Sequence, residues 1–269
     1  EVTGGTSMNF KDKVCIVTGS TSGIGLALAQ YLLEKGAKVY VSGRTLEHMN
    51  NAKAQLEKYG DRISFKLIDL CNYKEAEEYA REISIANGGV DYLFANAGGG
   101  TVTRFENITW DMWEDIFGSN VFGAIAVIKG VIPMMKQRKS GHILITASLA
   151  GYSVNPYQSS YVATKHAVYG MAQSLRYELE PDNISVQAIC PGFVRTPIFT
   201  RNGEPEDAIP PQCISVEQAV DEIMAGIEAG DVTINVCNEA REYYKALRNN
   251  PEYCDAEMRN LAKFYSLQL

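Results

Sequence analysis

Apolar and polar positions follow two rhythms along residues 11 to 190. Short, nearly continuous apolar runs recur: VCIVTG at 14–19, KVYVSGR at 38–44, ISFKLIDL at 63–70, VDYLFANAG at 90–98, GHILITAS at 141–148 and ISVQAICPG at 184–192. Runs this short and this rich in β-branched residues predict strands buried on both faces, as in a parallel sheet. Between them the apolar positions take helical spacing, at 26–36 (stopped by Gly36), 46–59, 74–86, about 109–136 and 160–180. Helical spacing resumes at 216–229 and about 239–264. Strands alternating with helices predict an α/β fold. It is one doubly wound parallel sheet of about seven strands, with helices on both faces and right-handed crossovers.

The rhythm breaks at 196–213, where four prolines and a glycine interrupt a charged stretch. A lid near 196–215 is expected there, over a single domain spanning 8–269. Glu1 to Ser7, small and polar ahead of Met8, read as an expression remnant and are set aside.

Composition narrows the class. The chain has 269 residues, 46% of them hydrophobic, enough to bury a large core. A formal net charge of -7 argues against nucleic acid or an anionic membrane as partner. No apolar run approaches the roughly 20 residues of a membrane span, and no leader is evident, so a soluble cytoplasmic protein is expected. Six cysteines at 15, 71, 190, 213, 237 and 254 form no C-x-x-C pair and read as reduced structural thiols. The histidines at 48, 142 and 166 are scattered, and no metal site is expected.

Candidate chemistry begins where the first strand meets the first helix, at Thr18–Gly25. Gly19, Gly23 and Gly25, with Thr21, Ser22 and Ile24 between them, let backbone approach a pyrophosphate at a helix N-terminus. The spacing G-x-x-x-G-x-G departs from the usual dinucleotide fingerprint. The second strand ends in Arg44, not in a carboxylate that would hold a ribose 2′-hydroxyl. A planar cation there suits a 2′-phosphate, so NADP(H) is the expected cofactor.

Tyr161 and Lys165 share one face of a strong helical segment. A lysine cation beside a phenol is expected to lower the phenol's pKa toward a value useful for proton transfer. Ser148, at the end of the fifth strand, supplies a hydroxyl thirteen residues earlier. The spacing alone is weak, since chance supplies about one Y-x-x-x-K pair in a chain with 15 tyrosines. Tyr31 and Lys35, with Thr18 thirteen residues before, form such a decoy and read as packing and surface. Position separates the two pairs. Ser148 sits at the carboxyl edge of a strand, where open α/β sheets bind ligands.

Taken together, the chain resembles the short-chain dehydrogenase/reductases over about residues 12–200. The resemblance rests on TGxxxGIG (18–25), Asp69, NAG (96–98), Asn120, Ser148, YxxxK (161–165) and PGFVRT (191–196). It implies a Rossmann-type fold and a tetrad of Asn120, Ser148, Tyr161 and Lys165, with Asn120 helping to hold a water that joins Lys165 to a proton relay. It also implies cofactor contacts from Asp69, Leu70, Asn96, Ala97, Gly98, Tyr161, Lys165, Pro191, Gly192, Val194 and Thr196, and a homodimer or homotetramer.

The expected reaction interconverts a ketone and a secondary alcohol. Tyr152, Val154, Tyr157, Phe193, Ile198 and Phe199 suggest a hydrophobic substrate, a hydroxysteroid or bile acid being the leading candidate. A 3-oxoacyl thioester reductase is the alternative within the class. A non-catalytic dinucleotide-binding sensor is the remote one.

Overall fold

Alternate residues of each strand enter two different cores. In the computed structural model, which describes residues 8–199 and 209–266, Ile16, Leu93, Ala95, Ile143 and Ile145 pack on one face of the sheet. Cys15, Val17, Phe94 and Leu144 pack on the other. This is why the strands read as unbroken apolar runs. The expectations about Glu1–Ser7 and about residues 200–208 of the lid lie outside the described residues.

The strands are β1 (Val14–Val17), β2 (Lys38–Gly43), β3 (Ile63–Leu67), β4 (Tyr92–Ala95), β5 (Gly141–Thr146), β6 (Ile184–Pro191) and β7 (Thr233–Val236). They form one sheet in the order β3-β2-β1-β4-β5-β6-β7, and every pairing is parallel. The order reverses between β1 and β4, which opens a crevice at their carboxyl ends. Helices α1 (Gly23–Glu34), α2 (Leu46–Leu56) and α7 (Val216–Ala229) cover one face. Helices α3 (Tyr73–Ala86), α5 (Gly123–Arg138) and α6 (Ser159–Leu179) cover the other. The doubly wound α/β expectation therefore holds.

Three local differences have physical causes. The seventh strand, TINV, is too short to stand out as an apolar run, and as an edge strand it buries only alternate residues. The segment 239–264 is two helices, α8 (Asn238–Asn249) and α9 (Pro251–Ser266). Pro251 donates no N–H and disfavours helical geometry at Asn250, whose φ and ψ are -149° and 70°. The stretch 109–136 is α4 (Trp110–Phe117) and α5 joined by a π-helical turn, Gly118–Phe122. By length and composition Trp110–Arg138 could cross a bilayer, which qualifies the expectation of no such stretch. Most of its apolar surface is buried inside the fold, as in a core helix.

Candidate active site

The glycine turn closes tightly enough that side chains could not replace its glycines. A Cβ on Gly19 would stand 2.7 Å from the Cα of Ala97, and one on Gly25 would stand 2.4 Å from the Gly19 carbonyl. Gly19 and Gly23 also hold φ of 60° and 54°, a region that favours glycine. Ser20 lashes the turn to β2, donating to the Val17 carbonyl and accepting from the Ser42 N–H at 3.1 Å. Thr21 is buried against Gly43. Ser22, the N-cap of α1, makes no side-chain capping bond, and the first turn carries no carboxylate. The helix start is therefore an uncluttered, electropositive cradle, and the residues fit a pyrophosphate. Thr196 lies across it, its methyl 3.3 Å from where a Gly23 Cβ would be.

Other residues implied in cofactor binding divide by what their side chains already do. Asn96 is committed to the fold: its amide donates to the Thr18 carbonyl at 3.1 Å and accepts from Thr146 Oγ1 at 3.3 Å. Leu70 and Val194 are buried, one in each core. Pro191 ends β6 and Gly192 follows it, packed against Cys237. Asp69 accepts from the Cys71 N–H at 3.0 Å. Arg44 is exposed past β2 and donates from Nη1 to Asp115 Oδ1 at 3.2 Å.

The four residues of the expected tetrad converge on the loop after β4. The Ser148 hydroxyl stands near enough to Tyr161 to favour its phenolate, and its Oγ donates to the Pro191 carbonyl at 3.5 Å. Ser148 Oγ also accepts from the Ala150 N–H at 3.1 Å. Lys165 is buried, donates from Nζ to the Thr146 carbonyl at 2.9 Å, and lies 5.7 Å from the Tyr161 ring centre. Asn120 comes from the π-helical turn, a local widening that often marks functional positions. Its Oδ1 accepts from the Gly99 N–H and its Nδ2 donates to the Gly99 carbonyl, both at 2.9 Å. A methyl on Gly98 would meet Asn120 Oδ1 at 3.1 Å and Lys165 Nζ at 3.2 Å, so both groups face that glycine.

Burial overrides the expected acidification of the phenol. Desolvation pushes the Tyr161 hydroxyl above its ordinary value, and the Ser148 hydrogen bond only partly offsets this. The same burial pulls Lys165 down to about 8. Taking each group out of water penalises its charged form, and at this separation the ammonium does not reverse that for the phenol. The tyrosine therefore keeps its proton at neutral pH, and Lys165 loses its own at a lower pH than a free lysine, about 8.

Sequence reasoning missed two supports. Thr164, buried beside Lys165, accepts from Asn120 Nδ2 at 2.9 Å and donates to the Tyr161 carbonyl at 2.8 Å. Gly100 lies under Tyr161, where a Cβ would stand 2.6 Å from the ring. Thr164 sits inside the YxxxK segment and Gly100 just past the NAG segment, but their contacts span separate elements. One expectation fails. Tyr152 does not face a substrate cleft. Its hydroxyl donates to Asn235 Oδ1 at 2.6 Å and its ring meets Tyr169 and Tyr244 edge-on, binding the C-terminal part to the β5–α6 loop. Tyr157 instead holds the facing loop, its carbonyl accepting from the Thr103 N–H at 2.8 Å. Val154 and Ile198 are exposed, and the side chain of Phe199 lies outside the described residues. No group of three or more His, Cys, Asp or Glu that could hold a metal ion occurs among the described residues.

Comparison with known proteins agrees with this geometry. The family described as short chain dehydrogenase matches residues 13–207. A D-beta-hydroxybutyrate dehydrogenase of Rhizobium meliloti is 31% identical over 220 residues, covering 79% of this chain and 82% of that one. A short chain dehydrogenase from Burkholderia cenocepacia, solved in complex with NADP, superposes with a TM-score of 0.79 at 26% identity, covering 93% of this chain and 99% of that one. One from Burkholderia phymatum, in complex with NAD, superposes at 0.80 with 22% identity, covering 91% and 96%, which speaks to the fold alone.

Proposed function

The chain belongs to the short-chain dehydrogenase family and is an oxidoreductase acting on CH–OH groups, and on that premise we propose that it reduces a lipophilic ketone with NADPH, or oxidises the matching secondary alcohol. The observation that carries this reading is the convergence of Ser148, Tyr161 and Lys165 beside the glycine cradle. When bound, the nicotinamide supplies the hydride acceptor or donor and, oxidised, a positive charge.

Ser148 holds the substrate oxygen by a hydrogen bond. Tyr161 gives that oxygen its proton as the carbonyl carbon becomes a carbinol, and in the reverse direction takes the proton back. With a pKa at or above its ordinary value, the phenol carries that proton at neutral pH. Lys165, titrating near 8, can return a proton to Tyr161, with Asn120 fixing the loop beside it. The glycine turn and α1 hold the pyrophosphate. Arg44 holds a 2′-phosphate, an assignment in keeping with the NADP-bound Burkholderia cenocepacia neighbour.

Val102 and Val154 are exposed on the loops after β4 and β5, and Leu149 and Phe193 are partly exposed; apolar side chains on these loops favour an apolar ketone of the hydroxysteroid or bile-acid kind. The Rhizobium meliloti relative places 3-hydroxy acids in the test panel. Exposed Tyr73 and Phe122 meet with ring centres 6.5 Å apart, an apolar surface that supports a homo-oligomer, which sedimentation checks.

The test follows NADPH consumption against ketosteroids, 3-oxo acids and small ketones. Turnover of apolar ketones that vanishes in Tyr161→Phe, with cofactor binding retained, is the expected result. Wild-type-like turnover in that variant refutes the reading.

A further inference from the structure

Arg44 already has a partner, and that partner is an acid. Its Nη1 donates to Asp115 Oδ1 at 3.2 Å, across 71 positions of sequence. Arg44 follows β2, whereas Asp115 stands on α4 beside the loop after β3. Cys71 Sγ of that loop lies 3.7 Å from the same carboxylate oxygen. The bridge therefore spans the mouth of the crevice at the end where Arg44 and the Asp69 loop meet. Both side chains are well exposed, at 39% and 58% of their surface. Such a pair is weak and exchangeable.

We infer that Asp115 is a specificity-determining residue that competes with a ligand's 2′-phosphate for Arg44; this rests on the reading of Arg44 as the 2′-phosphate partner. A 2′-phosphate can replace the carboxylate with stronger, charge-assisted hydrogen bonds from the guanidinium fork. On doing so it leaves the Asp115 carboxylate facing a dianion. A ligand without that phosphate leaves the bridge intact and is indifferent to Asp115. Asp115 thus moderates the preference that Arg44 creates.

The test is calorimetric titration of the whole chain with 2′,5′-ADP and with 5′-ADP, in wild type, Asp115→Asn, Arg44→Ala and the double variant. Asp115→Asn is expected to tighten 2′,5′-ADP by about 2- to 5-fold, the scale of an exposed ion pair, and to leave 5′-ADP unchanged. The gain shrinks with added salt, and it disappears in the Arg44→Ala background. Equal changes for both ligands, no change, or a gain that survives without Arg44 overturns the inference. If Arg44→Ala loses no affinity for 2′,5′-ADP, the Arg44 reading falls as well. If Arg44→Ala weakens binding while Asp115→Asn does nothing, the Asp115 inference falls alone.

Discussion

Two helices of this molecule carry a tyrosine and a lysine four residues apart, each with a hydroxyl thirteen residues upstream, and their environments differ completely. At the end of α1 the C-cap Lys35 has Nζ 5.3 Å from the Tyr31 ring centre, yet Lys35 is exposed and Tyr31 packs its ring edge against Phe10. Its upstream hydroxyl, Thr18, points away and accepts from the Asn96 and Ala97 N–H groups at 3.0 Å. In α6, Lys165 Nζ is slightly farther from its ring, at 5.7 Å, but it is buried, and the Ser148 hydroxyl stands near the tyrosine. The spacing brings a cation near a phenol in both. What makes one pair chemically poised is desolvation and the meeting of three elements at one sheet edge.

The sharpest way to break that comparison is to remove both hydroxyls. Tyr161→Phe should lower turnover by about 10³-fold, the scale of a lost general acid, while Tyr31→Phe leaves it unchanged; steady-state kinetics with NADPH decides. Next comes Gly100→Ala, whose methyl would stand 2.6 Å from the Tyr161 ring. Displacing the ring should cost about 10- to 100-fold in kcat, with dinucleotide affinity little altered.

The lysines sharpen the contrast through stability. Burial holds Lys165 at about 8 against a normal 10.5, so its charged form penalises the fold. Between these values the unfolded chain binds more protons, and stability rises with pH as the penalty is relieved. Lys165→Met should therefore be more stable than wild type by up to about 3 kcal/mol below pH 8, an advantage that fades toward pH 10.5. Urea denaturation at several pH values measures it; an advantage that grows with pH would contradict the burial argument.

Smaller again, Thr164→Val strips a partner from Asn120 and from the Tyr161 carbonyl, at a cost of about 1–3 kcal/mol. Thr164→Ser should restore both stability and rate. The smallest effect is Lys35→Met, where an exposed cation over a ring is worth no more than about 1 kcal/mol in thermal unfolding.

Much of this molecule is readable from its residues. Apolar runs such as VCIVTG and GHILITAS announce buried parallel strands, because successive side chains enter opposite cores and nearly every position must be apolar when both faces are covered. Gly19 and Gly25 announce a close backbone approach, and the order of Ser148, Tyr161 and Lys165 announces the site. The short edge strand TINV and the break at Pro251 were harder to read, since four residues with one buried face carry little pattern.

What the tertiary structure alone decided is everything that depends on which atoms lose water and which distant groups meet. Tyr152 reads as a substrate contact in the sequence and is a clasp onto β7 and α8 in the fold. The Arg44–Asp115 bridge joins residues no periodicity connects. The Tyr161 phenol, expected to be acidified by its lysine, is pushed the other way because burial penalises both charges. Local sequence sets backbone geometry and side-chain facing within an element. Solvation and long-range pairing are properties of the packed chain, so the direction of a pKa shift could be settled only there.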